Sequence, residues 1–327
     1  MKYKVTRLLF LLGLSVISPL RMSAESLVVS GGAKITFPMG DLRVPVWNGG
    51  AMGVVEKNET ASPVVHIIGK AGSEGTPVAI SIPSASSVHV LGVGHGADGT
   101  LAVSGIAYDK AGAGGGFIAW FAQGSSEGKV VRTFPYIAYH IKIAPDGTAW
   151  TQGLEMVNGM EHDSSINPRN GVIRHFDRSG AAIASFIPRS SVAALRAGGF
   201  TSGYFVAAND RVAWFSRGNR YFEVLFDGSV KEYPGVSDLG RRSVTGLAVT
   251  DSGSVFVGVS SPWVTPAEAT QPIAESPFFL YELNRDNGTW KPVTSPTGTG
   301  RTLYGADGNT LILSASNGGG MKFVTVE

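Results

Sequence analysis

Between Gln152 and Asn170 the chain places Glu155, Asn158, Glu161, His162 and Asp163, followed by Asn167 and Arg169. Carboxylates and imidazole offer hard oxygen and nitrogen donors, so Glu155, Glu161, His162 and Asp163 form a candidate site for a divalent cation, calcium or magnesium, or for acid and base chemistry. The same residues also read as a solvated polar loop, because neighbours on one loop rarely all ligate one ion. A second set is cationic. His140, Arg241, Arg242 and Arg301, with Asn158, suit an anionic or sugar-like ligand, arginine acting through paired hydrogen bonds. What either set can do depends on the elements that carry it.

Those elements are strands. The stretch His140-Ile-Lys-Ile-Ala-Pro-Asp-Gly-Thr-Ala-Trp150 alternates apolar residues, turns at Pro-Asp-Gly and alternates again, which is the pattern of a β-hairpin. Weaker copies turn at Asp98, Asp210, Asp251 and Asp307, and the five acidic markers are spaced by 48, 64, 41 and 56 residues. A repeat of about fifty residues is that of a four-stranded propeller blade. Outer strands follow each marker, as in Tyr221-Phe-Glu-Val-Leu-Phe226, an Asp227-Gly228 turn and Val230-Lys-Glu-Tyr233. Residues 44 to 83 supply strands without the Asp-Gly turn and read as a degenerate first blade. The pattern predicts an all-β, six-bladed β-propeller of four-stranded antiparallel blades, the last blade closed by an N-terminal strand; rings of five or seven blades are the rivals.

On that frame the Asp-Gly turns are turn chemistry first, aspartate accepting local backbone hydrogen bonds and glycine supplying positive φ. The long loops 152–170 and 260–276 open on the other face, where binding tends to be placed. His140 starts an inner strand and reads either as a channel-mouth ligand or as a strand histidine held by the neighbouring blade. Trp150 and Trp214 hold equivalent places in the repeat and read as core filling between blades.

The first 24 residues stand apart. Lys2, Lys4 and Arg7 precede an apolar run from Leu8 to Leu20 and a small-residue Ser23-Ala24 step, the layout of a bacterial-looking secretory signal peptide. Residues 25–327 then form a single domain, expected to be secreted or periplasmic, without a membrane span after cleavage, and monomeric. The absence of cysteine removes disulfides and a lipoprotein anchor. Loss of Lys2, Lys4, Arg7 and Arg21 takes the formal charge from +2 to −2. A nearly neutral, sparsely charged chain lacks the electrostatic footprint of a nucleic-acid binder.

Ala144-Pro-Asp-Gly-Thr-Ala-Trp150 resembles the PDG-x-x-W phrase of NHL-repeat and virginiamycin B lyase-like six-bladed propellers, and the whole chain is more loosely similar to gluconolactonase-like rings. The resemblance implies the fold. It carries over no catalytic residue, because Thr151-Gln152 and Phe215-Ser216 stand where lyase-like members follow the tryptophan with Phe-Thr-Glu. The expected function is a binding module for a protein, peptide or carbohydrate ligand, using the face of the long loops. The alternative is a metal-dependent hydrolase or lyase, lactonase-like or virginiamycin B lyase-like, at the channel mouth.

Overall fold

Runs such as Val212-Ala-Trp-Phe215 have no polar face to give to solvent, so strands of this kind must be covered on both sides. The computed structural model meets that demand with a ring of six sheets. It describes residues 26–28, 34–36, 46–70, 73–157, 160–161, 171–188, 191, 203–237, 239, 242–260, 278–293, 302–314 and 321–326. A hairpin of β1 (Ser26–Val28) and β2 (Lys34–Thr36) precedes the ring. Blade one is β3 (Val46–Asn48), β4 (Ala51–Glu56), β5 (Val64–Gly69) and β6 (Val78–Ala79). Blade two is β7 (Ser87–His95), β8 (Leu101–Tyr108), β9 (Gly114–Phe121) and β10 (Gly128–Arg132). Blade three is β11 (Tyr136–Ile143), β12 (Ala149–Val157), β14 (Gly171–Phe176) and β15 (Ala182–Pro188), with β13 (Met160–Glu161) folded back on the end of β12. Blade four is β16 (Gly203–Ala207), β17 (Arg211–Ser216), β18 (Arg220–Leu225) and β19 (Val230–Pro234). Blade five is β20 (Ser243–Val249), β21 (Val255–Ser260), β22 (Phe279–Asn284) and β23 (Thr289–Val293). Blade six is β24 (Leu303–Asp307), β25 (Thr310–Ser314) and β26 (Met321–Thr325).

Within each blade the strands run antiparallel in chain order, so the first strand of each lies at the axis. Each such strand lies beside the next around the ring, and β24 returns to β3. β1 approaches β26 while its ladder is with β2. The described part of blade six has three strands, and the ring is closed by packing: Trp47, Met52 and Ile68 of blade one against Tyr304, Ile312 and Met321 of blade six.

Each of the six joints has its own apolar core. Strand parity feeds two of them at once: Val212 and Trp214 of β17 face blade three, while Ala213 and Phe215 face blade five. Trp150 stacks on Phe186 and Phe226 across one joint and is 1% exposed, so it and Trp214 are packing residues. The glycines of the Asp-Gly turns at 99, 147, 228, 253 and 308 have positive φ. The carboxylates of Asp98 and Asp146 accept the backbone N–H two residues on, from Thr100 and Thr148, and the Thr100 hydrogen bonds hold the Asp98 carboxyl below its ordinary range. Among the described residues no helix is long and apolar enough to cross a membrane.

Two asparagines clamp blades together in the same way. Asn58 Nδ2 donates to Val90 O at 3.0 Å and its Oδ1 accepts from Val90 N at 2.8 Å, joining blade one to β7. Asn219, between β17 and β18, does this to Val236 at 2.9 and 3.1 Å, reaching the segment before β20. Asn219 also sits at φ 56°, a conformation that asparagine tolerates better than alanine. Asn219→Ala strands both polar groups of the buried Val236, and we expect it to cost about 2 kcal/mol in urea unfolding. A loss under about 0.5 kcal/mol would show that water replaces the clamp.

Candidate functional site

A strand at the axis of a ring is packed on both faces and paired on one edge only, and its other edge borders the channel. Four of these strands break register at the same place: β7 between Val90 and Gly92, β11 between Ala138 and His140, β20 between Val244 and Gly246, and β24 between Leu303 and Gly305. The residues left out of the ladder are Leu91, Tyr139, Thr245 and Tyr304. A bulge re-aims a side chain and is common beside functional sites. Leu91, Tyr139 and Thr245 are half-buried in strands where Val90, Ala138 and Leu247 are buried. Tyr304 is 7% exposed and helps to close the ring. Among the described residues the buried Thr245 Oγ1 has no hydrogen-bond partner.

The residue after the bulge explains how closely the blades meet. It is Gly92, Gly246 or Gly305 in three of the four strands. A Cβ at Gly92 would lie 3.0 Å from His140 Cα, one at Gly246 would overlap the Leu303 carbonyl oxygen, and one at Gly305 would lie 3.4 Å from Trp47 Cβ. In β11 the equivalent residue is His140. Its imidazole faces blade four, where the nearby backbone of Gly203 favours the charged ring. Burial, with a smaller push from the Lys142 charge, draws the His140 pKa down to about 4. Lys142, two residues on and on the same face, is 1% exposed, and burial draws its pKa down to about 7. Among the described residues its Nζ has no hydrogen-bond partner.

Glu155 lies on the other face of this sheet. It is 9% exposed, and its Oε1 accepts from Arg174 Nη2 at 2.7 Å. The Arg174 guanidinium lies 3.9 Å from the Tyr136 ring centre, and Tyr136 and Thr151 share a 2.9 Å hydrogen bond between hydroxyls. Glu155 is therefore engaged by an arginine towards blade two, while His140 points towards blade four. Glu161 lies in β13, opposite Met156. His162, Asp163, Asn158, Arg241 and Arg301 lie outside the described residues, as do 162–170 and 261–277 of the long loops. Arg242 stands 4.5 Å over the Phe279 ring. Among the described residues no three of His, Cys, Asp or Glu form a group able to hold a metal. His66 lies between two carboxylates, with Nδ1 2.5 Å from Glu74 Oε1 and Nε2 3.2 Å from Glu56 Oε2, on the outer part of blade one.

The ring has solved counterparts. Virginiamycin B lyase from Staphylococcus aureus aligns with a TM-score of 0.50 at 12% identity, over 93% of this chain and 89% of that one. A streptogramin B lyase structure aligns with a TM-score of 0.47 at 14% identity, over 90% of this chain and 84% of that one. A chain of the mitotic checkpoint complex gives 0.48 at 12%, over 100% and 99%. No family model and no curated protein matches the chain. At such identities the likeness is one of fold, and with the six sheets it bears out the ring that the PDG-x-x-W resemblance implied.

The bulge ring was missed in the sequence, although a signal was there. Leu91-Gly92, Thr245-Gly246 and Tyr304-Gly305 each put a glycine after a larger residue inside an inner strand, where glycine often marks a bulge.

Proposed function

We propose that the chain is an exported binding propeller that takes a carbohydrate or peptide at the mouth of its central channel. The observation that supports this is the recurrence of the bulge in four axial strands, which leaves Leu91 and Tyr139 half-buried on strands that border the channel. Tyrosine gives a flat apolar surface with a polar edge, which suits the ring faces and hydroxyls of a sugar or the groups of a short peptide. The stretches 152–170 and 260–276, long in sequence, are the part of this reading that would select among ligands. Export rests on the N-terminal pattern of Lys2, Lys4, Arg7 and the apolar run after them. The metal-dependent alternative would draw on Glu161, His162 and Asp163, since Glu155 is held by Arg174.

The test is a thermal-shift and calorimetry panel of chito-, cello- and malto-oligosaccharides and tripeptides on the full mature chain. The best ligand should bind Tyr139→Ala at least tenfold more weakly, with unchanged far-ultraviolet circular dichroism. Equal affinity in Tyr139→Ala and in Thr245→Val would place binding elsewhere.

A further inference from the structure

Most described arginines have an acceptor inside the fold. Arg174, Arg211, Arg220 and Arg285 donate to carboxylates, and Arg132 and Arg178 to backbone carbonyls. Among the described residues Arg217 and Arg242 donate to neither, and they share one corner of the ring. Arg217 lies in the turn between β17 and β18, at the end of blade four away from its Asp-Gly turn, and Arg242 stands immediately before β20, the axial strand of blade five. β16 and β20 are neighbours at the axis, and Asn219, in the same turn as Arg217, is clamped to Val236 on the segment that leads to Arg242. Arg242 stands 4.5 Å over the Phe279 ring, while the Arg217 charge opposes the rise that burial imposes on the pKa of the Tyr204 hydroxyl. Tyr204, Val244 and Phe279 pack on the one core between blades four and five. A guanidinium laid on a ring has its face covered and its N–H edge left for a ligand. The acids of blade four are taken up elsewhere: Glu232 by Arg220, Asp210 by Arg211, and Glu223 by Arg211 and Arg285.

We propose that this corner binds the carboxylates of an acidic ligand, Arg242 through paired N–H donors and Arg217 as a second positive charge. The proposal rests on the reading of the channel mouth as a binding site and names the chemistry of what binds there. Arg242 comes three residues before Thr245, about 10 Å along an extended chain, so a short oligomer on the channel-bordering strands reaches it. The flat fork of a guanidinium matches a planar carboxylate through two parallel hydrogen bonds. An oligomer with a carboxylate on each unit meets the two arginines separately and does not need them to close on one group. The attraction is local, since the formal charge of residues 25–327 is −2.

The experiment is calorimetry on the full mature chain with trigalacturonic acid and triglutamate, against the uncharged maltotriose and trialanine amide. One acidic probe should bind at least about tenfold more tightly than its uncharged counterpart, and Arg242→Gln and Arg242→Lys should each lose about tenfold of that affinity while keeping the wild-type thermal midpoint. Arg217→Gln should lose roughly threefold in dilute buffer and close to nothing at about 1 M salt, where an exposed charge is screened. Trigalacturonic acid alone identifies a sugar acid and triglutamate alone an acidic peptide; either supports the site. Acidic probes that bind no more tightly than uncharged ones, or an Arg242→Gln chain that folds and binds like wild type, overturn the proposal. Should Arg242→Gln not fold, a salt-independent, wild-type affinity in Arg217→Gln overturns it instead. An uncharged probe that binds and is lost in Tyr139→Ala, with no preference for acids, sinks this proposal and leaves the channel-mouth reading standing. Acid binding that depends on Arg242 but not on Tyr139 keeps this site and moves the ligand away from the channel.

Discussion

Glu223→Gln is expected to destabilise the chain by about 3–5 kcal/mol, the cost of breaking a buried ion pair while leaving its partners in place. Glu223 is 0% exposed in the middle of β18 and accepts three hydrogen bonds. Arg211 Nη1 donates to Oε2 at 2.8 Å, and Arg285 Nη2 and the Tyr221 hydroxyl donate to Oε1 at 2.7 and 2.8 Å. Arg285 also holds Gly253 O at 2.8 Å, and Arg211 holds Asp210 through Nε and Nη2 at 2.8 and 2.7 Å. The network ties the first turn of blade four to the Asp-Gly turn of blade five. Glutamine has the same shape but removes the charge and turns an NH2 towards one of the donors, leaving guanidinium charge without its counter-ion. Urea unfolding should show the loss, and the thermal midpoint should fall by roughly 6–15 °C. Adding Arg285→Met to Glu223→Gln should recover a good part of it, because the stranded cation is then gone. A single-variant loss below 1 kcal/mol would mean that solvent reaches the network.

Glu223 also shows where the sequence was readable and where it was not. The run Tyr221-Phe-Glu-Val-Leu-Phe226 announces a strand, and the Asp227-Gly228 turn its end, because those signals are local. The ring followed from the spacing of such turns, since a four-stranded blade consumes a set length of chain. What the polar residues do was not legible, because it depends on parity across a joint. In Ile141-Lys142-Ile143 the alternation suggests an apolar face and a wet one. An axial strand has no wet face, and Lys142 is as buried as its neighbours. Glu155 illustrates the converse. Its neighbours Asn158, Glu161, His162 and Asp163 suggested a loop, yet β12 runs through Glu155 to Val157 and turns it onto Arg174. Ligand-like spacing carries little information until the strand register is known.

Lys142→Met should then be a substitution that stabilises the chain, and the sign can be worked out from the shift. The folded pKa of about 7 lies below the 10.5 of an ordinary lysine, so the unfolded chain binds this proton more tightly than the fold does. Below about pH 7 the fold carries the full penalty of the buried ammonium; it shrinks as pH rises from 7 towards 10.5, so this residue makes the wild type more stable with rising pH. A shift of that size corresponds to a penalty on the order of 3–5 kcal/mol. Methionine keeps most of the stem and removes the charge, so in gluconate buffer at pH 6–7 the variant should unfold several kcal/mol later. The advantage should fall below half by pH 9. His140 supplies an internal control: with a folded pKa of about 4 against an ordinary 6.5, it makes stability rise between pH 4 and 6.5, and that slope should survive in the variant. Lys142 shares its face of the sheet with His140, Trp150 and Gln152, and no carboxylate among the described residues pairs with it. A variant that is less stable than wild type at pH 7 in gluconate would show that the amine already has a partner in the folded chain. A gain that survives unchanged to pH 10 would show that packing, not charge, is what the methionine improves.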